Sequence, residues 1–262
     1  MKEIEKNIEA WSLLSEEHYH FYKKQFQEGN YRFNPIITDE LGDISGKKIL
    51  HLQCNIGADT IGLAKMGAEV TGVDIVPKNI LFARQLAKDL NIDHVDFIIS
   101  DIMELMDNHR GKYDIVFTSD GAIGWLPELE TWGKTIRFFL KDDGFLYVHD
   151  GHPFFMVFDE EKIADGVLEI RYPYFSKIPD RSYEIGGYAS DSKEAENYYW
   201  NYTVSELINS LAKADLFIEF FNEYDRCVPG MGGTHTDEDV LSYYPSLQGA
   251  IPLVFSLKAT VR

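Results

Sequence analysis

Apolar residues recur at helical spacings near the start of the chain, where Ile4, Ile8, Trp11, Tyr19, Tyr22 and Phe26 predict one or two amphipathic helices over residues 4–28. From residue 47 the pattern changes to short β-rich runs separated by helical segments. KKILHL (47–52), GAEVTGVD (67–74), VDFIIS (95–100), YDIVFTS (113–119) and GFLYVHD (144–150) read as strands. A helix through Leu63 to Met66 follows the first of them. A second helix opens near Pro77, where the missing N–H would be unpaired in any case, and aligns Ile80, Ala83, Ala87 and Leu90. A third helical stretch runs from Glu130 to Leu140. This alternation predicts right-handed βαβ units and a parallel sheet covered on both faces.

The end of the chain behaves differently. LFIEFFNEY (216–224) follows a helical stretch at 203–214, and PLVFSLKATVR (252–262) alternates. Leu253, Phe255, Leu257, Ala259 and Val261 fall on one face, and Ser256, Lys258, Thr260 and Arg262 on the other. Such alternation predicts an antiparallel strand with one face partly solvated. Residues 151–202 break the βα rhythm and are crowded with aromatics, among them Phe154, Phe155, Tyr174, Phe175, Tyr183, Tyr188, Tyr199 and Trp200. They either fill an extra β-layer or form a cap over a substrate pocket, and the two readings are compatible. The expected organisation is an N-terminal helical lid (1–45), a ligand-binding core (46–150), an aromatic insertion (151–202), and a C-terminal helix with the last two strands of the core sheet (203–262).

Composition narrows the partners. The net charge of −18 opposes a phosphate backbone, so small molecules are favoured over nucleic acid. No apolar run reaches the roughly 20 residues that cross a bilayer, and no secretion signal or membrane association is expected. The cysteines, Cys54 and Cys227, fit a reducing, cytoplasmic setting better than a disulfide framework.

The chemistry concentrates at strand tips. In ILHLQCNIGADT (49–60) a strand enters a tight turn and then a helix, the place where α/β sheets bind nucleotide-like ligands. Gly57 lets the backbone approach a ligand closely. Asp74 ends the second strand, where an acid can accept ribose hydroxyls, and Asp101 ends the third, where an acid can receive an adenine amine. Each has a plainer reading as a helix or turn cap. Together the three tips form an adenosine-binding rim.

HLQCNIGADT, GAEVTGVD, YDIVFTSDGAIGWLP and FLKDDGFLYVHDGHP resemble class I S-adenosylmethionine-dependent methyltransferases over about residues 45–150. NYYWNYTVSELINSL and PLVFSLKA extend the resemblance, to one bacterial branch of that family, over nearly the whole chain. The family's first motif reads as an acid followed by spaced glycines. Here His51 stands at the acid's position, and of the glycines only Gly57 remains. The resemblance implies an α/β fold with a Rossmann-like seven-stranded sheet, mostly parallel with an antiparallel last strand, helices on both faces and a cap inserted after strand five.

It also implies site roles. Gln53, Cys54, Asn55 and Gly57 would line the methionine portion of S-adenosylmethionine and of its product S-adenosylhomocysteine. Asp59 and Thr60 would orient the amino or carboxylate group, Asp74 would hold the ribose with Ile75 beside the adenine, and Asp101 and Ile102 would read the adenine edge. Ser119, Asp120 and Gly121 would sit beside the sulfonium, and Trp125 would wall the substrate site. Trp11, Tyr19 and Tyr22 would form the lid, with a tyrosine reaching the ligands. Should the acceptor need to lose a proton, Asp120, His149, Asp150 and His152 are candidate bases, with His235 behind them. His152 is also a candidate substrate contact.

Other patterns yield less. GMGG (230–233) is followed by no Lys-Ser/Thr pair and reads as a mobile connection. The histidines lack metal-ligand spacing, so no metal is expected. An NAD-dependent oxidoreductase would carry GxGxxG after the first strand, and NIGADTIG does not. A regulatory or interaction protein that binds the cofactor without turnover remains the alternative. The chain is expected to be a monomer or homodimer.

Overall fold

A computed structural model describes residues 2–238 and 240–261. Arg262, expected on the polar face of the last strand, lies outside the described residues, as do Met1 and Asp239. The chain opens with α1 (Lys2–Gln27), one uninterrupted helix. The short α2 (Pro35–Leu41) follows, started by the Asn34 side chain, which accepts from Ile36 N at 3.0 Å. Then come β1 (Lys48–Leu52), α3 (Ala58–Lys65), β2 (Glu69–Asp74), α4 (Pro77–Asp89), β3 (Val95–Ile99), α5 (Leu105–Asn108), β4 (Tyr113–Ser119), α6 (Glu130–Phe139) and β5 (Leu140–Gly151). The strand and helix positions match the hydrophobic pattern, and Pro77 occupies the first turn of α4.

After β5 the chain leaves the sheet. Residues 151–202 hold α7 (Glu160–Ala164) and a separate two-stranded antiparallel hairpin of β6 (Asp180–Ile185) and β7 (Lys193–Tyr199). The expected aromatic β-layer is thus a single hairpin. Its aromatics do not share one core: Tyr199 is pressed onto Gly124, whereas Phe175 is 77% exposed. The chain returns through α8 (Val204–Lys213), opened by a reciprocal cap in which Thr203 Oγ1 accepts from Glu206 N and the Glu206 carboxylate accepts from Thr203 N. It continues as β8 (Leu216–Tyr224), the short ladder of β9 (His235–Thr236) with β10 (Ser242–Tyr243), and β11 (Val254–Val261).

The main sheet has seven strands in the order β3-β2-β1-β4-β5-β11-β8. The first five strands in that order pair in parallel, and β11 runs antiparallel between β5 and β8. The fold is the Rossmann-like mixed sheet that the pattern implies, with the antiparallel strand one place inside the edge. Trp132, Ile136, Phe139, Leu207 and Leu211 of α6 and α8 pack on one face with Phe255, Leu257 and Ala259 of β11. On the other face Ile37, Leu63 and Phe117 form a second core, and α1 and α4 bring Tyr19, Ile80 and Ala83 onto Phe97. One side chain departs from the alternation in β11. Ser256, expected on the solvated face, is buried and donates to Glu40 at 2.9 Å. Glu40 also accepts from Tyr147 and Asn222, so α2 covers this end of the sheet.

The strand order reverses at β1, whose neighbours are β2 and β4. The carboxyl ends of these strands open a crevice there, and α1 crosses it.

Candidate active site

The turn after β1 is built from left-handed residues. Gln53, Asn55 and Gly57 have φ of 56°, 51° and 75°. The first two stand where the resemblance places glycines, so the glycine conformation persists although the glycines are gone. Asn tolerates this region because its short amide bonds locally. Here Asn55 Oδ1 accepts from Ile56 N at 2.7 Å. At Gly57 no side chain fits, because a Cβ would lie 2.7 Å from the Phe97 ring. Gln53 Nε2 donates to Ala122 O at 2.7 Å and ties this turn to the loop after β4. The thiol of Cys54 instead faces inward against Phe97 and Gly72, and burial pushes it well up.

Asp74, at the tip of β2, is buried and holds the turn from below. Its Oδ2 accepts from Asn55 N at 2.9 Å, and its Oδ1 accepts from Val76 N at 2.9 Å and Asn79 Nδ2 at 3.2 Å. It thus ties the approach to α4 to the turn after β1. Burial outweighs these donors and raises its pKa to about 6. Ile75 beside it is partly exposed. Asp101 Oδ1 accepts from Met103 N at 2.9 Å, forming a local turn, and Ile102 is buried among the core residues packed on α6. Thr60 is fully buried, with its hydroxyl 2.9 Å from His51 Nδ1. The residue that replaces the family's acid therefore bonds to the first turn of α3.

A second group gathers at the tips of β4 and β5. Asp59 accepts from Ser119 Oγ at 2.9 Å and Tyr31 Oη at 3.0 Å. Burial and then the Asp120 charge raise its pKa to about 6. Asp120 has a left-handed backbone and accepts a short hydrogen bond from His149 Nδ1. His149 is fully buried behind it, with the Asn34 amide 3.4 Å from each ring nitrogen. Burial works against the imidazolium, but the charge and hydrogen bond of Asp120 outweigh it, and the pKa is raised. Asp150 is a structural carboxylate. It accepts from the backbone N–H groups of Gly121, Ala122, Ile123 and Gly151, and so folds the loop that carries Asp120 and Gly121.

His152 points elsewhere. It is buried at the β8 side of the sheet, its ring centroid 6.2 Å from that of Phe221 and 6.3 Å from that of Phe255, with Nδ1 accepting from Phe154 N. His235 is exposed on β9.

The lid also divides. Tyr19 turns toward α4, stacks on Phe82 and donates to Asp89 at 2.6 Å. Tyr22 turns to the crevice, where burial and then Tyr188, Asp59 and Asp120 push its hydroxyl well up. Trp125 meets Trp11 and Tyr199 edge-on at 5.2 and 5.3 Å. Sequence reasoning missed Tyr31, Asn34, His18 and Tyr188. The first three precede the motifs and carry no signature of their own. The spacing of Trp11, Ser15, His18 and Tyr22 along one helix face was nevertheless available as a signal.

Comparison with known proteins bears on the family and the fold. Residues 43–174 match a family model described as a methyltransferase domain. A ubiquinone biosynthesis O-methyltransferase of Glaesserella parasuis is 30% identical over 43% of the chain and 48% of its own length. The chain spans about half the length of the curated relatives it matches. An S-adenosylmethionine-dependent methyltransferase of Mesorhizobium loti superposes with a TM-score of 0.57 at 18% identity, over 86% of this chain and 95% of that one. A TehB-like S-adenosylmethionine-dependent methyltransferase of Corynebacterium glutamicum does so with a TM-score of 0.56 at 15% identity, over 95% and 98%. With half of its length matched by that model and its sheet shared with these structures, the chain belongs to the methyltransferase-domain family.

Proposed function

We propose that this chain transfers the methyl group of S-adenosylmethionine to a small-molecule acceptor. The observation that carries the reading is the β1 turn. Gln53, Asn55 and Gly57 keep the left-handed backbone, and the buried carboxylate of Asp74 sits directly under it. The residues present fit the cofactor. Gly57 keeps the turn close against Phe97, where a Cβ would clash. Gln53 Oε1 is buried and has no hydrogen-bond partner among the described residues, leaving an acceptor for an ammonium or hydroxyl. Asp74 would hold the ribose, with Asn55 at the amino-acid end.

When bound, the sulfonium supplies an electrophilic methyl, so the protein's task is mainly alignment. Tyr31 and Ser119 fix Asp59 on one side of the crevice, and His149 fixes Asp120 on the other. Asp120 is the group placed to take a proton from an acceptor that must lose one, with His149 as the residue that orients it. The net charge of −18 favours a neutral or cationic small molecule. The relative named as a ubiquinone biosynthesis O-methyltransferase makes an oxygen acceptor the first class to screen. Two buried free cysteines fit a reducing compartment such as the cytoplasm. No helix among the described residues is long and apolar enough to cross a membrane.

Calorimetric titration with S-adenosylhomocysteine tests the reading. The parent is expected to bind, and Asp74→Ala to lose more than ~1.4 kcal/mol, a tenfold change in affinity. A parent that binds neither this product nor S-adenosylmethionine would refute it.

A further inference from the structure

His18 lies on the crevice face of α1, fully buried between Trp11 and Tyr188, whose rings meet it edge-on at 6.0 and 4.8 Å. Its Nδ1 is 3.3 Å from the Tyr188 hydroxyl, while its Nε2 has no hydrogen-bond partner among the described residues. A buried polar atom without a partner is costly and calls for one.

The proton positions follow from the neighbours. Asn55 Nδ2 donates to the Tyr188 oxygen at 3.4 Å. The tyrosine's own hydrogen is then free to point at His18 Nδ1, and in that arrangement the ring proton resides on Nε2. Burial outweighs the Asn55 side chain and the Glu17 charge and holds the pKa of His18 down at about 4, so the ring is neutral. What it offers is one N–H donor that calls for an oxygen.

The surrounding charges select which oxygen. Asp59 and Asp120 act on both Tyr22 and Tyr188, so the crevice as a whole suits the cationic groups of a ligand. A carboxylate bound in such surroundings has to be held by donors of its own. Building on the cofactor assigned above, we infer that His18 is a cofactor-binding residue, its Nε2–H oriented by an Asn55–Tyr188–His18 relay and donating to the carboxylate at the amino-acid end of S-adenosylmethionine. Tyr188 lies in the turn between β6 and β7, so the inserted hairpin contributes to the cofactor site as well as covering the acceptor.

The test is calorimetry of His18→Ala and Tyr188→Phe with two ligands, S-adenosylhomocysteine and 5′-methylthioadenosine, which lacks the amino-acid end. Both variants are expected to weaken S-adenosylhomocysteine by about tenfold, the worth of a hydrogen bond to a charged group, and to leave 5′-methylthioadenosine within twofold of the parent. Equal weakening of both ligands would overturn the carboxylate assignment, and unchanged affinity for both would overturn the role itself. Should His18→Ala fail to fold, by loss of a cooperative thermal transition, Tyr188→Phe decides alone. A parent that does not bind S-adenosylhomocysteine refutes the cofactor reading and this inference with it. A parent that binds while both variants bind equally well refutes only the inference.

Discussion

Asn55 does three jobs with one side chain and one backbone. It holds a left-handed φ of 51°, accepts from Ile56 N through its own amide, and donates its N–H to Asp74. Alanine in its place would keep the N–H but lose the amide bond and carry the strain of a Cβ in the left-handed region, together about 1–3 kcal/mol. Glycine would lose the same side-chain bonds without the Cβ strain, at the cost of a more flexible unfolded chain. Urea unfolding should therefore place Asn55→Ala at a clearly lower midpoint than Asn55→Gly, and equal midpoints would show that the backbone here is not strained. The same residue marks how far the sequence could be read. Asp74 was legible because its distance from Gly57 and its place after an apolar strand are local facts. That Gln53 and Asn55 would preserve the missing glycines' conformation was not, since the contacts that accompany it, to the Asp74 carboxylate and the Ala122 carbonyl, come from other elements.

At the scale of elements, α1 and the hairpin behave as one covering unit. Asn7 Nδ2 donates to Tyr198 O at 2.8 Å, and Asn7 Oδ1 accepts from Tyr198 N at 2.7 Å, so one side chain pairs with β7 as a neighbouring strand would. Lys193 pairs with Glu17 a few turns on, and Ala10, Leu14 and Ile185 fill the seam. The other side of α1 reaches Asp74, because Ser15 Oγ donates to Asn79 Oδ1 at 2.6 Å and Asn79 donates to Asp74. Asn7→Leu keeps the volume but leaves a peptide N–H and C=O of β7 without their partners. Limited proteolysis should then cut the segment 166–192 several-fold faster than in the parent, while cleavage elsewhere is unchanged. An unchanged rate in that segment would mean that the apolar seam alone holds the hairpin. The helix itself was plain from its 3.6-residue spacing, and the terminal strand from its alternation. The docking of residue 7 on residue 198 leaves no trace in either period, because periodicity reports which face is buried and never against what.

Across the whole molecule, buried titrating groups of opposite tendency oppose one another. Burial depresses His51 to about 3 and His18 to about 4, against an ordinary value of 6.5. A histidine held neutral in the fold but free to protonate when unfolded contributes stability above pH 6.5, and that contribution is lost as pH falls through the window toward its folded value. Asp59 and Asp74, raised to about 6 from 3.8, work the other way. The fold takes up their protons first, so their contribution grows as pH falls through 6 toward 4 and is lost as pH rises through 6. Two substitutions separate these opposing slopes. Between pH 7 and pH 5, His51→Gln should lose less stability than the parent by roughly 2 kcal/mol, since its unfolded state no longer gains a proton there. Asp74→Asn should lose more than the parent over the same interval, because a proton-binding group has been taken from the fold. Thermal unfolding of the three proteins at the two pH values reads both differences, and each comparison is made within one protein, so any uniform cost of the substitution cancels. Parallel curves for parent and His51→Gln would mean that His51 titrates in the fold as it does in the open chain. That result would also remove the reason for a histidine beside Thr60: a side chain that stays uncharged in a buried strand where the family carries an acid.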